Sequence, residues 1–544
     1  MGVAAAWAVA AQPPACLRAG SHESEAAGAG NRLRVMPQSS RLAVADLGSN
    51  SFRLVVFTTA PDGWWQRTDE IYEPVRVGAG LAASGRLGAK PIERALATLD
   101  VFAHFCRASG LRGEQIDAVA TSAIRDAENS AELLDAARAR TGLAIRVLSV
   151  EQEARYGYLA AVNSSTLADG CVMDLGGGSM QLVRVRDRLP RELGSWPLGA
   201  VRMSERFLPE TGPAQAEHVE ALRKHVAGIL EALDWLAGSE RMVGIGGTAR
   251  NLAAAAQRAA GLPSNGVQGF QLSREALGGL IERLAELPAA DRARIPGIKP
   301  ARADLILAGA IAIEGVLKAG GLDALEVTEA GLREGIFFER HLADPVRGAG
   351  EPLMQDVRRD GVMNLARRYG MDAPHSRHVA RLALEMFDHL AELHLHDGDP
   401  VERELLWAAC MLHDIGMSVD YDDHHKHSRY LILNAGLPGF TPSEVAVIAQ
   451  AARYHRKGRP EPDGLASLFD KRDLRRLSRC ATLLRLAEDL ERSRDQLVTE
   501  TSFTAENGTV RLLLHADGDT AVPRWAAGRE GELFEAAFAR GLAV

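Results

Sequence analysis

Two stretches of this chain follow one plan: a short apolar strand, an aspartate, a glycine-bearing turn and a second apolar strand. They read RLAVADLGSNSFRLVVF at 41–57 and GCVMDLGGGSMQLVRVR at 170–186. Apolar runs joined by a tight turn of small residues predict β-hairpins. The design of 43–57 returns at 172–185, and such a recurrence is the mark of internal duplication. Two related α/β lobes facing each other across a cleft are therefore expected.

The segments around the hairpins support that reading. A helical stretch at 91–110, a strand at 117–121, a helix ending near Thr141 and a strand at 144–149 alternate as in α/β folds. RMVGIGGTARNLAAAAQ reads as strand, turn and helix. ADLILAGAIAIEGVLKAGG with LEVTEAGLREGIFFERHL reads as helix, strand and helix. After a Gly/Pro-rich break at 348–352, apolar spacings of three and four predict a separate helical region, followed by a strand pair around Asn507-Gly508 and a closing helix. The expected organisation is a disordered extension at 1–40, lobe I at 41–166, lobe II at 167–346, a helical domain at 353–497 and a small α+β segment at 498–544. Translation could begin at Met36 instead of Met1.

A net charge of −8 argues against general affinity for nucleic acid, so a polyanionic ligand would need a locally basic cleft. Five scattered cysteines (Cys16, Cys106, Cys171, Cys410, Cys480) without CxxC spacing suggest neither a disulfide framework nor a zinc site and fit a reducing cytoplasm. No run reaches the roughly 18 apolar residues that a membrane-spanning helix needs, so no membrane association is expected.

Three turns share a chemical design that suits phosphate. Gly48, Ser49, Asn50 and Ser51 follow Asp46; Gly176, Gly177, Gly178 and Ser179 follow Asp174; Gly246, Gly247 and Thr248 follow a third strand. Glycine removes Cβ and admits positive φ, so bare N–H groups can curl around a phosphoryl oxygen while Ser or Thr adds a hydroxyl. Arg53, Arg125 and Arg250 lie near or after these turns and could grip phosphate in two-pronged fashion. Taken singly, the aspartates could merely close turns and Arg125 could pair with Asp126 or Glu128; one glycine turn usually only reverses the chain. Three on paired lobes point to an anion site.

In order, DLGSNSFRLVV, VATSAIRDAENS, VLSVEQEARYGY, VMDLGGGSMQL, PLGAVRMSERF, VGIGGTARNL, LILAGAIAIEGVL and EAGLREGIF resemble the Ppx/GppA phosphatases of the actin/Hsp70/sugar-kinase superfamily, over about residues 41–340. The resemblance implies two actin-like (ribonuclease H-like) lobes, Glu153 as general base, and Asp46 and Asp174 as metal-associated carboxylates. It also implies Thr121 and Arg125 at the site, Mg²⁺ as cofactor with a monovalent cation as a further candidate, and a homodimer. In-line hydrolysis of a terminal phosphoanhydride needs such a base and such cations. The substrates implied are inorganic polyphosphate, for an exopolyphosphatase, or guanosine pentaphosphate, for a pppGpp 5′-phosphatase; a catalytically weak sensor of either stays open. The chain departs from the family pattern at one place, where GGGSMQ puts Gln181 where a glutamate is usual; glutamine cannot act as a base.

Further on, HSRHVARLALEMFDHL, CMLHDIGM, HHKHSRYLI, ARYHRKGRP and LLRLAEDLERSRD resemble an HD-type phosphohydrolase core. That resemblance implies a divalent metal on His375, His413, Asp414 and Glu488, the last standing where an aspartate is usual. His424, His425, His427 or His455 would serve a second ion or the substrate. Structural histidines, or a basic channel extended by Arg453, His455, Arg456, Lys457 and Arg459, are the alternatives.

Overall fold

The computed structural model describes residues 39–263, 265–343, 351–506 and 508–544. The expected extension before residue 39, with Cys16 and Met36, lies outside the described residues, as do most of the break at 348–352 and Asn507 of the last turn. The four other cysteines are buried and free.

Both predicted hairpins form. β1 (Ser40–Leu47) pairs antiparallel with β2 (Phe52–Thr59), and Leu47 opposite Phe52 leaves Gly48 to Ser51 as the loop. Alternation along the strands buries both faces: Ala43, Ala45 and Leu47 enter one core, Val44, Val55 and Phe57 another. β3 (Trp65–Glu73), β4 (Ile116–Ala120) and β5 (Ile145–Val147) complete a sheet of order β3-β2-β1-β4-β5, with β4 and β5 parallel to β1. The helices Ala89–Ala108 and Ser130–Thr141 cover it through Leu99, Phe102 and Leu133.

The second sheet repeats the plan. β6 (Gly170–Leu175), β7 (Met180–Arg186), β8 (Leu189–Trp196), β9 (Met242–Ile245), β10 (Phe270–Ser273) and β11 (Ala324–Val327) lie in the order β10-β11-β9-β6-β7-β8. Strands β8-β7-β6-β9-β11 thus match β3-β2-β1-β4-β5 in order and direction, and β10 is an antiparallel addition. This is the duplicated actin-like arrangement. The helices Val150–Val162 and Leu332–Leu342 are wedged between the sheets, sharing one core with Val44 and Phe57 of the first and Val172 and Val243 of the second. Phe57 stacks on Phe337 at 4.4 Å between ring centres.

Beyond the second sheet the chain is helical: Val357–Arg368, Ala373–Glu392, Pro400–Leu412, His424–Asn434, Pro442–Arg453 and Lys471–Leu490. Side chains of Asp356, Asp372, Asp399, Thr441 and Asp470 accept backbone N–H groups at five helix starts, which fixes where the helices begin. β12 (Val498–Glu506), β13 (Thr509–Ala516) and β14 (Gly541–Ala543) form a small sheet. Its Leu512 and the nearby Phe534 join the same core as Leu406 and Leu483, so the segment expected as a small closing unit is packed onto the helices. Asn364 locks the helical part to β3 by hydrogen bonds to the Trp65 backbone at 2.8 and 3.1 Å. Among the described residues, no helix is long and apolar enough to cross a membrane.

Candidate active site between the two sheets

The two hairpin tips are built alike. The Gly48 N–H donates to Ser51 O at 3.2 Å and the Gly176 N–H to Ser179 O at 3.0 Å. In register, Asp46 faces Arg53 and Asp174 faces Gln181, so these pairs are counterparts in the duplication. The third turn lies against the second tip. Gly246 has φ +99°, the region that suits glycine, and a Cβ there would sit 2.9 Å from Leu175 O and 3.3 Å from Asp174 Oδ1. At Gly247 a Cβ would meet the Arg302 guanidinium at 2.5 Å, so the bare backbone makes room for that side chain.

Glu153 arrives on the wedged helix. Ser149 and Gln152 form a capping box that starts this helix, with Gln152 N–H to Ser149 Oγ at 3.2 Å and Ser149 N–H to Gln152 Oε1 at 3.0 Å. One turn later, Gly157 lets the helix close on β6: a Cβ there would lie 3.5 Å from Asp174 Oδ2. Glu153 is buried, and Arg125 Nη1 donates to its Oε2 at 2.6 Å.

These elements enclose a cavity of about 110 Å³. Asp46, Glu153 and Asp174 line it together with Arg53, Arg250, Arg302 and Arg333 and the three glycine turns. Loss of hydration, then the neighbouring charges of Glu153 and Asp46, push the Asp174 carboxyl up to about 7. Burial likewise raises Glu153, with Arg125 pulling the other way, and raises Asp46 against the pull of Arg333. Arg250 is drawn down to about 10, by burial first and then by Arg333 and Arg53. The cavity thus confines four guanidinium groups close enough to oppose one another, an arrangement that an anion relieves.

A model of the Ppx/GppA phosphatase family matches residues 62–343, more than half of the chain, and a model of domain III of the same family matches 357–520. The chain belongs to the Ppx/GppA phosphatase family. Among solved structures, an Aquifex aeolicus family member is 30% identical over 55% of this chain and 97% of its own, with a TM-score of 0.48. An exopolyphosphatase from Cytophaga hutchinsonii is 22% identical over 56% of this chain and 98% of its own, with a TM-score of 0.51.

Within this Ppx/GppA cleft, most of the residues expected at the site converge: Asp46, Gly48, Ser49, Asn50, Ser51, Arg53, Thr121, Glu153, Asp174, Gly176, Gly177, Gly246, Gly247 and Arg250 all line the cavity. Five expected residues do not. A Cβ on Gly178 would come 2.6 Å from Ser122 Oγ and 2.9 Å from Ser49 Oγ, so this glycine serves the close approach of the two tips. Ser179 and Gln181 face each other beneath the loop, where Gln181 Nε2 donates to Ser179 Oγ at 2.8 Å and to Ser195 Oγ at 3.0 Å. Thr248 is fully buried under the start of its helix, against Gly309. Arg125 grips Glu153, the Leu148 carbonyl at 3.1 Å and Asp126 at 3.4 Å; it positions the carboxylate and does not line the cavity.

Sequence reasoning missed Ser122, Arg302 and Arg333. Arg333 sits inside the EAGLREGIF motif, whose match offered a signal; its Nη1 donates to Asp46 Oδ2 at 2.9 Å. Arg302 ends a short turn, Pro300–Arg302, with no local pattern to single it out.

In the family's helical part, the expected ligands also meet, divided into two groups: His375, His413 and Glu488, and Asp414, His424 and His455. His425 and His427 belong to neither group. Of the basic run, Arg453 lies over the Tyr454 ring and Arg456 over Tyr421, while Lys457 stands 3.8 Å from Asp423.

Proposed function

We propose that this phosphatase is an exopolyphosphatase that releases orthophosphate from the end of inorganic polyphosphate. The observation that carries the reading is Glu153, a buried carboxylate held by Arg125 beside a cavity lined with four arginines and bare glycine turns. In the proposed reaction a water oxygen bonds to the terminal phosphorus while its proton passes to Glu153. The P–O bond to the rest of the chain breaks, and the leaving group departs one phosphate shorter. Arg53, Arg250, Arg302 and Arg333 offset the charge on the phosphoryl oxygens, and the turn amides orient them.

The carboxylates fit a divalent cation. The Asp174 carboxylate has no hydrogen-bond or ion-pair partner among the described residues, and burial first, then the nearby charges of Glu153 and Asp46, raises its pKa. Asp174, with Asp46 beside it, would hold Mg²⁺, which would supply charge neutralisation at the phosphoryl oxygens. Asp46 already shares one oxygen with Arg333, so Asp174 is the freer ligand.

A pppGpp 5′-phosphatase is the second reading, favoured by one feature. A cavity of about 300 Å³, lined by apolar Val201, Leu208 and Leu305 and polar Arg76 and Glu205, shares Ser49 and Asn50 with the cleft and has room for a nucleoside. Orthophosphate release from long-chain polyphosphate and from pppGpp, measured on the same protein and on Glu153→Gln, tests both. Faster release from polyphosphate, lost by roughly 100- to 10,000-fold in Glu153→Gln, is expected. Preference for pppGpp would overturn the first reading in favour of the second, and full activity in the variant would sink Glu153 as base.

A further inference from the structure

Arg250 lines the cavity, but its guanidinium is aimed by a neighbour from far along the chain. Its Nη1 donates to the backbone carbonyl of Glu329 at 2.5 Å. Glu329 belongs to the loop after β11, whose next residues Gly331, Leu332 and Arg333 also line the cavity. The place of this loop therefore decides where Arg250 points.

Gln268, which does not line the cavity, holds the loop from behind. Its Oε1 accepts the Glu329 N–H at 3.1 Å and lies 2.9 Å from Thr328 Oγ1, while its Nε2 donates to the Ser164 carbonyl at 2.8 Å. A backbone N–H only donates and a carbonyl only accepts, so a single orientation of the amide satisfies both. Thr328 is fully buried, and its Oγ1 also lies 2.7 Å from Ser164 Oγ. Ser164 stands two residues beyond the helix Val150–Val162 that carries Glu153. One side chain thus ties the end of that helix to the loop that aims Arg250.

The helical part closes on the same point. Gly439, between the helices His424–Asn434 and Pro442–Arg453, donates its N–H to the Ser164 carbonyl at 3.1 Å and so shares an acceptor with Gln268. Beside Gln268, a Cβ on Gly269 would overlap the Phe440 carbonyl oxygen, so the two backbones touch. The Glu329 carboxylate accepts the Val267 N–H at 3.0 Å and would lie 3.6 Å from a Cβ on Gly436. Residues 436–440 are packed against the segments that Gln268 joins.

We propose that Gln268 is a positioning residue through which the helical part holds Arg250 in place for a phosphoryl group, a role that rests on reading the cleft as a phosphate site. Arg333, Arg53 and Arg302 repel Arg250 inside the cavity, so a fixed carbonyl is needed to keep its guanidinium aimed. Without the amide, the Glu329 N–H, the Thr328 hydroxyl and the Ser164 carbonyl each lose a partner, and the loop is free to shift. Docking of 436–440 is what keeps the amide seated.

Calorimetric titration of the full chain with orthophosphate, at constant Mg²⁺, tests this. Arg250→Ala should raise the Kd by roughly 10- to 100-fold, the worth of a hydrogen bond between charged groups. Gln268→Leu keeps the bulk and removes the amide; it should raise the Kd on the order of 3- to 30-fold, the range for residues that act through others. Gly439→Ala, whose Cβ would press on Arg358 Cγ at 2.9 Å, should act in the same direction from the helical side. Asn364→Ala loosens the helical part at β3 instead, so it should lower the thermal midpoint and leave the Kd unchanged. Circular dichroism checks folding, and Gly439→Ala carries the test if Gln268→Leu does not fold. An unchanged Kd in Arg250→Ala would sink the phosphate reading of the cleft and this role with it. A loss there with none in Gln268→Leu overturns the role of Gln268 alone, and none in Gly439→Ala overturns the part given to the helical part. An equal loss in Asn364→Ala overturns both, because general loosening would then be the cause.

Discussion

Arg125 Nη1 lies 2.6 Å from Glu153 Oε2, joining the turn after β4 to the first turn of the helix wedged between the sheets. The contact does more than tether. Burial drives the Glu153 carboxyl toward its neutral form, and Arg125 is the strongest influence opposing that drive.

Arg125→Ala should therefore raise the Glu153 pKa further, leaving less of the proposed base ionised at neutral pH. Phosphate release at pH 7 is expected to fall by about 10- to 100-fold, within the range general-base catalysis commands. The loss should narrow as the pH is raised, since hydroxide removes the proton that Arg125 no longer discourages. A pH–rate profile decides it: an equal loss at every pH would mean that Arg125 acts in another way.

Arg302 lines the cavity and forms no ion pair among the described residues, and burial lowers its pKa with Arg53 and Arg333 adding to the effect. Arg302→Ala should lower kcat/KM roughly 10- to 100-fold, the worth of one hydrogen bond between charged groups. Because it removes a charge that its neighbours repel, the thermal midpoint should hold or rise. A fall in thermal stability together with unchanged kinetics would assign Arg302 to structure alone.

Asp174, with a folded pKa of about 7 against an ordinary 3.8, binds its proton more tightly when folded. Its charge therefore destabilises the metal-free protein above pH 7, and that penalty fades as the pH falls through 7 toward 3.8. In chelator, Asp174→Asn should melt above wild type at pH 8, and the difference should shrink by pH 6. Phosphate release should be lost in the variant. Scanning calorimetry at the two pH values checks the sign, and a difference that grows on acidification would contradict it.

Gly335 lies where the helix Leu332–Leu342 crosses the helix that carries Glu153, and a Cβ there would overlap the backbone carbonyl of Tyr156. Backbone cannot swing aside as a side-chain end can, so Gly335→Ala should cost roughly 1–3 kcal/mol or more. It should also lower activity by moving the Glu153 helix off Asp174. Urea unfolding and phosphate-release rates measured together test the link; normal stability would mean that the two helices separate at little cost.

Much of the site was legible because its parts are local. A turn that must bare its amides needs glycine, so 48–51, 176–179 and 246–247 announced themselves in order along the chain. Short apolar runs gave β1, β2, β6 and β7, whose two faces both enter cores. The edge strands β3 and β8 were not read out, because their mostly polar, exposed sequences WQRTDEIYE and LPRELGSW have little apolar pattern to reveal. Of the helical part, sequence named the clustered side chains but not their division into two groups, with Asp414 beside His424 and His455.

By itself, then, the sequence determined the duplicated hairpins, the starts of the helices and the identities of the acids, glycines and histidines that chemistry would need. Those features depend on neighbours within a few positions, where period and turn geometry act. Tertiary structure alone decided which side chains share an environment. It brought Arg302 and Arg333 from far along the chain into the cavity, and it made Gly178 a spacer between hairpin tips. It turned Gln181 beneath its loop and gave Arg125 to Glu153. Burial and Coulomb forces act through space, so the charge, pKa and partner of a side chain are settled by whatever folds against it, however distant in the chain.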